Sequence, residues 1–148
     1  MANFTKLRSL GRQCALTAYA EITFADFASG ESLEGAAAAD TVELFGIPKD
    51  AEVVGVWLNV KELFVGAADM TVAVSDAVKG SAYVAATDVD ATGGSLGEVA
   101  SALDTISYTA SDSIIVTLAG ADLTALTAGK VSVQADYIQR NRSNEVHE

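Results

Sequence analysis

The chain has 148 residues, half of them hydrophobic and one fifth charged, which is the balance of a single globular domain. Twenty acidic residues against nine basic ones give a formal net charge of −11, which argues against nucleic-acid binding because that needs a basic face. No apolar run approaches the roughly 18 residues of a membrane-spanning helix, so we expect no membrane contact. The N-terminal stretch is too short and too polar for a signal peptide, so we expect a protein made and used without secretion.

The charges are unevenly distributed. Five of the nine basic residues lie near the two ends, whereas all but two of the acidic residues lie between positions 13 and 139. The sequence therefore describes an acidic body with two basic ends. The acidity either keeps the body soluble or leaves it in solvent while the basic ends bind an acidic surface.

Six stretches alternate between apolar and polar residues with period two, the pattern of half-buried strands. The first begins at Ala20, the second at Thr41, and the longest runs from Glu52 to about Val65. Their predicted inward-facing residues are Ile22 and Phe24; Val42 and Leu44; Val54, Val56, Leu58 and Val60; Met70, Val72 and Val74; Ile114, Val116 and Leu118; and Val131, Val133, Ala135 and Tyr137.

Evidence for helix is thin. The best candidate is Ser95 to about Thr105, where apolar residues recur at helical spacing and Ser95 with Glu98 matches a capping box. The small and polar residues of 76–97 and of 29–40 predict loops. Short strands with long polar connections predict an all-β fold, an antiparallel β-sandwich or jelly-roll-like domain with long loops and at most one short helix. We assign residues 1–13 to an N-terminal arm, 14–140 to the sandwich and 141–148 to a flexible tail.

A possible calcium loop starts at Asp88 and continues through Asp90, Thr92 and Gly93. The pattern then fails, because its twelfth position is Val99 where a bidentate Glu is needed. We therefore favour a polar turn and expect no metal and no cofactor.

No arrangement of residues indicates an enzyme. Glycosidase chemistry needs a pair of carboxylates, but no spacing singles one out. Cys14, the one cysteine, is best explained as a small residue at the core edge, and His147, the one histidine, as a tail residue.

Trp57 is the residue of most interest. It lies on the opposite face of the longest strand from Val56 and Leu58. It either faces outward as a subunit contact, where tryptophan is enriched, or lies in a central strand that is buried on both faces.

The order of segments resembles the small head decoration, or cement, proteins of tailed bacteriophages. The resemblance lies in AEITFADF at 20–27, VELFGIPKDAEVVGVWLNV at 42–60, MTVAVSDAVKGSAYVAATDVDA at 70–91, SDSIIVTLAG at 111–120 and AGKVSVQADYIQR at 128–140. These segments span about residues 17–142. Lys79 and the N-terminal stretch depart from the family pattern.

The resemblance implies a non-catalytic virion protein, made in the host bacterial cytoplasm, that binds the outer surface of the capsid. Its implied partners are the major capsid protein and further copies of itself, most often as a homotrimer that staples coat subunits together. Several weak contacts on one rigid trimer add up to strong binding.

The N-terminal arm is the predicted capsid-binding segment, since it lacks the alternation seen from Ala20 onward. It combines apolar anchors with basic residues, a composition that suits a segment ordering on a partner. The predicted capsid-binding residues are Phe4, Lys6, Leu7, Arg8, Leu10 and Arg12. The alternative is that the arm packs along its own subunit or a neighbouring one.

Two other functions remain open. One is a carbohydrate-binding, lectin-like virion domain with Trp57, Tyr83 and Tyr108 as its sugar-stacking residues. The other is a different structural protein of the head or tail.

Overall fold

A computed structural model describes residues 15–28 and 39–139. Nine strands, one short helix and one 3-10 turn make up this part of the chain. In chain order they are β1 (Leu16–Thr23), α1 (Phe24–Ala28), β2 (Ala39–Ile47), β3 (Ala51–Val65), β4 (Thr71–Asp76), β5 (Ala82–Asp88), β6 (Gly97–Ala100), β7 (Ile106–Ser107), β8 (Asp112–Ala119), the 3-10 turn Leu123–Ala125 and β9 (Ala128–Gln139). None of the described helices is long and apolar enough to cross a membrane.

The strands form two antiparallel sheets. One has the order β1-β9-β3-β6, with the two-residue β7 also paired to β3, and the other has the order β2-β8-β4-β5. Successive strands β1 and β2 lie in different sheets, as do β8 and β9, so the chain crosses between the sheets repeatedly. This strand order is that of a jelly roll, which confirms the predicted all-β sandwich.

The core lies between the two sheets. Their inner faces meet through alternating, β-branched residues, as the period-two pattern predicts. Val72 and Val74 from one sheet and Val131 and Val133 from the other are completely buried, as are most of the predicted inward-facing residues. Tyr137 is only partly buried, because it lies toward the end of β9.

The prediction for the start of β3 was wrong by one residue. Val53 is buried and Val54 is 39% exposed, because the pairing of β3 with β9 shifts register between Val53 and Gly55. A bulge inserts one residue and moves the preceding side chains to the opposite face. Beyond it, Val56 and Leu58 are buried as predicted.

The first predicted strand also ends earlier than its pattern indicates. β1 stops at Thr23, and Phe24–Ala28 forms a short helix instead of continuing the strand. Asp26 accepts hydrogen bonds from the Thr23 backbone N–H at 2.8 Å and from its hydroxyl at 3.0 Å, which caps this helical turn. The turn places Phe27 in the core, with its ring edge-on to that of Phe64.

The predicted helix at Ser95–Thr105 is absent, and Gly97–Ala100 is strand β6 at the edge of the larger sheet. Gly97 has φ +126°, which a helix does not allow, and Leu96 and Leu103 are exposed rather than packed on one face. Pairing with the free edge of β3 satisfies the backbone instead.

The predicted loop 76–97 contains strand β5. The sequence pattern does not predict β5 because its pairing with β4 shifts register, so that the adjacent residues Tyr83 and Val84 are both buried. A pattern that departs from strict alternation does not predict a strand.

Candidate functional site

The outer face of the larger sheet presents an aromatic and polar surface, which we call the Trp57 face. It is built from outward-facing residues in two adjacent cross-strand rows. One row places Tyr19 beside Gln134 and Gln134 beside Trp57. The next row runs Glu21, Ser132, Asn59 and Glu98 across β1, β9, β3 and β6.

Trp57 lies flat along its own strand. Its six-membered ring covers Gly55, where an added Cβ would lie only 2.4 Å from Cη2. Any side chain at position 55 would displace the indole. Trp57 therefore faces away from the core but is half-buried and not fully exposed. Its position has one feature of each alternative predicted from the sequence: the outward orientation of a subunit contact and the partial burial of a central strand.

A shallow cleft of about 170 Å³ opens beside Trp57. Ser132 lies on the same outer face but is only 3% exposed. The residues lining the cleft are Tyr19, Trp57, Asn59, Lys61, Glu98, Ser132 and Gln134. The cleft thus combines two aromatic side chains with amide, hydroxyl and charged groups.

A charged cluster forms one side of this face. Lys61 donates hydrogen bonds of 2.7 Å to the Tyr19 hydroxyl and to the Glu21 carboxylate, and its Nζ lies 5.4 Å from the centre of the Tyr19 ring. Lys130 also contacts Glu21, at 3.3 Å. Hydrogen bonds from Lys61 and then Lys130 hold the pKa of Glu21 below its ordinary value, and the bond to Glu21 raises the pKa of Lys61. These charges are compensated within the face.

Tyr83 and Tyr108, two of the three sugar-stacking candidates, are buried in the sandwich and not on its surface. The two hydroxyls are hydrogen-bonded to each other, and that of Tyr108 donates to Asp76 Oδ2 at 2.7 Å. Asp76 Oδ1 accepts the Ser81 N–H at 2.8 Å. Burial raises the pKa of Tyr83 to about 12, and burial with the bonds to Tyr83 and Asp76 raises that of Tyr108 well above its ordinary value. Neither ring is available to stack on a ligand.

The acidic residues of the possible calcium loop serve a turn. Asp88 accepts the Asp90 N–H at 2.9 Å, and Asp90 Oδ1 accepts both the N–H and the hydroxyl of Thr92 at 2.8 Å. These two bonds from Thr92 hold the pKa of Asp90 below its ordinary value. Within residues 15–28 and 39–139, no group of three or more His, Cys, Asp or Glu side chains is placed to hold a metal ion.

The predicted capsid-binding residues of the arm, from Phe4 to Arg12, lie outside the described residues, as do Cys14 and His147. Sequence reasoning singled out Trp57 but missed Tyr19, Asn59 and Glu98 as its neighbours. Their outward orientation follows from strand alternation, but their proximity depends on which strands pair and in which register.

The fold is shared with chains of three phage capsids. A chain in the capsid asymmetric unit of cyanophage Pam1 aligns with a TM-score of 0.61 at 22% identity, covering 85% of each chain. A chain in the acid-stable capsid of Helicobacter pylori bacteriophage KHP30 aligns with a TM-score of 0.58 at 20% identity, covering 84% of this chain and 86% of that one.

A chain in the capsid of Ralstonia phage GP4 aligns with a TM-score of 0.51 at 17% identity, covering 85% of this chain and 84% of that one. The sequence matches no protein-family model and no curated protein. At these identities the similarity establishes the jelly-roll fold alone.

Proposed function

We propose that this chain is a non-catalytic structural protein of a phage virion that binds the outer surface of the capsid and staples its coat subunits. The observation that supports the proposal is similarity over the whole domain. The alignments cover 84–86% of each capsid chain as well as 84–85% of this one, so the domain corresponds to nearly the full length of those chains.

The architecture and the charge distribution suit this function. The jelly roll buries a continuous core between its sheets and gives a rigid body, while five of the nine basic residues lie near the two chain ends. In our proposal the acidic body stays in solvent and the basic ends, above all residues 1–13, contact the capsid. A homotrimer would multiply these contacts and raise the total affinity.

Binding to capsids tests the proposal directly. Heads of the phage that encodes the chain, assembled without it and expanded, are mixed with the purified full-length protein. We expect the protein to co-sediment with these heads, to add density on their outer surface in cryo-electron microscopy and to raise their melting temperature. Density only inside the head or only on the tail would contradict the proposal, as would a failure to bind.

The oligomeric state is tested separately, by mass photometry of the free protein. We expect a species three times the 15.2 kDa mass of the chain. A monomer alone at micromolar concentration would contradict the homotrimer without deciding whether the protein binds capsids.

Deleting residues 2–12 tests the arm. We expect the truncated protein to keep its oligomeric state and melting behaviour but to lose capsid binding. An unfolded product, or binding equal to that of the full chain, would contradict the assignment of capsid contact to this segment.

A further inference from the structure

We propose that the cleft beside Trp57 binds one ring of a saccharide. The inference concerns the Trp57 face alone and does not depend on capsid binding. A site for sugar on a virion protein would add a second surface, separate from the basic ends, through which the protein contacts a polysaccharide or glycoconjugate.

The size of the cleft favours a single ring. Pockets for drug-sized ligands enclose roughly 300–1,000 Å³, whereas this cleft has about 170 Å³ and is open to solvent. It admits one six-membered ring while the rest of a chain continues outward across the sheet.

Trp57 provides the stacking surface. Gly55 lies beneath the indole and holds the ring flat against the strand, and Trp57 contributes to the lining of the cleft. Aromatic faces carry negative charge density and attract positively polarised hydrogens. The C–H groups on one face of a pyranose are such hydrogens, so a sugar ring stacks on a flat indole with little loss of side-chain entropy.

The polar residues around the indole match the hydroxyls of a sugar. Asn59 and Gln134 each present both a donor and an acceptor, and Glu98 presents acceptors only. Among the described residues, the Asn59 amide and the Glu98 carboxylate have no hydrogen-bond partner, and Gln134 makes only a long contact of 3.4 Å to Asp136. These groups are free to bind hydroxyls around the edge of a ring stacked on Trp57.

The geometry favours a sugar over a subunit contact at Trp57. A tryptophan that anchors an interface projects into a pocket of its partner. Here the indole lies in the surface, half-buried against Gly55, and the neighbouring lysines are already bonded to Glu21 within the same face. The subunit contact predicted from the sequence is therefore an alternative outcome of the test.

Trp57 is the one tryptophan in the chain, so its fluorescence reports on this cleft alone. The full-length protein is titrated with the methyl glycosides of glucose, galactose, mannose and N-acetylglucosamine, and is screened on an array of their oligomers. We expect at least one glycoside to change the emission and to saturate with a millimolar midpoint. No response to any glycoside, together with no binding on the array, would overturn the proposal.

Variants locate the binding. Asn59→Ala and Gln134→Ala keep the fluorescence signal of Trp57. Each should weaken sugar binding by about threefold to tenfold, the effect of losing one hydrogen bond. Trp57→Ala, followed by ligand-observed NMR, should abolish it. Val78→Ala is the control, because Val78 is 81% exposed and does not line the cleft.

Two results contradict the proposal even if a sugar binds. Binding that persists in Trp57→Ala places the sugar elsewhere. A Trp57→Ala protein that stays folded but dissociates into smaller species in mass photometry assigns Trp57 to a subunit contact. If Trp57→Ala does not fold, unchanged affinity in both Asn59→Ala and Gln134→Ala is the contradicting result.

Discussion

Two tyrosine clusters in this protein use similar side chains in opposite environments. In the buried cluster, Tyr108 donates to Asp76, and Lys79 lies over the Tyr108 ring with its Nζ 5.1 Å from the ring centre. In the exposed cluster, Tyr19 and Glu21 bind Lys61, which lies 5.4 Å from the centre of the Tyr19 ring. A tyrosine, a carboxylate and a lysine over a ring occur in both.

The two clusters differ in burial and therefore have different roles. Asp76 and Tyr108 are 3% and 4% exposed, and their hydrogen bonds replace water that the folded chain excludes. A polar group that is buried there without a hydrogen-bond partner destabilises the fold by the full free energy of its desolvation. Lys61 and Glu21 keep 37% and 38% of their side chains exposed, so water and salt ions compete with their contacts. The buried cluster therefore stabilises the fold, whereas the exposed one shapes a surface.

The largest effect is expected from Asp76→Ala. It removes the acceptor for both the Tyr108 hydroxyl and the Ser81 N–H, so that the Ser81 N–H loses its partner and the Tyr108 hydroxyl keeps only its bond with Tyr83. We expect the free energy of unfolding to fall by about 2–4 kcal/mol, as for the loss of hydrogen bonds to a buried charged group. Urea unfolding measures the change. Asp76→Asn, which keeps one acceptor oxygen, is the control and should lose less; equal midpoints for wild type and Asp76→Ala would contradict this role.

Alkaline pH should also destabilise the buried cluster. The ordinary pKa of tyrosine is 10.0, and that of Tyr83 is raised to about 12 in the fold, so the unfolded chain loses this proton first. Stability is therefore complete below pH 10 and falls as the pH rises toward 12, by about 1.4 kcal/mol per pH unit for one such group. Tyr83→Phe should flatten this dependence in thermal unfolding followed by circular dichroism. An unchanged slope in that variant would contradict the assignment.

Much of the fold follows from the sequence because burial on one face imposes a period of two. The strands around Val72, Val116 and Val133 are predicted correctly for that reason. The errors occur where the backbone departs from regular pairing. A bulge exposes Val54, and another makes Tyr83 and Val84 both buried, so that β5 resembles a loop.

The site is harder to predict than the fold. Trp57 is predicted to face outward because it alternates with the inward-facing residues of β3. Tyr83 and Tyr108, however, look equally suited to bind a sugar until their burial is known. Tyr19 lines the cleft with Trp57, yet the two residues are 38 positions apart in sequence and are brought together because both pair with Gln134 of β9. Register between strands distant in sequence decides which polar residues meet, and no local pattern specifies it.

A smaller effect is expected from Lys79→Met, which removes the charge over the Tyr108 ring but keeps the aliphatic stem. The substitution removes the bond from Lys79 Nζ to the Ser107 carbonyl, 2.6 Å long, and the cation–π contact. We expect a loss of about 0.5–1 kcal/mol in urea unfolding, the usual value of such contacts at an exposed site. A gain in stability would show that the ring contact contributes nothing.

The smallest effect is expected from Lys61→Met in the exposed cluster, although Lys61 makes more contacts than Lys79. The variant loses the bonds to Tyr19 and Glu21, but water replaces them at little cost and Lys130 still pairs with Glu21. We expect a melting temperature closer to that of wild type than Lys79→Met gives, and a difference that shrinks as salt is added. Acid should reduce the difference between the variant and wild type further, because the pKa of Glu21 is lowered in the folded protein. The stability that the Glu21 carboxylate contributes is present above the ordinary pKa of glutamate and is lost as the pH falls through the lowered pKa of the folded state. A drop larger than that of Lys79→Met, insensitive to salt and to acid, would mean that exposure does not separate the two clusters.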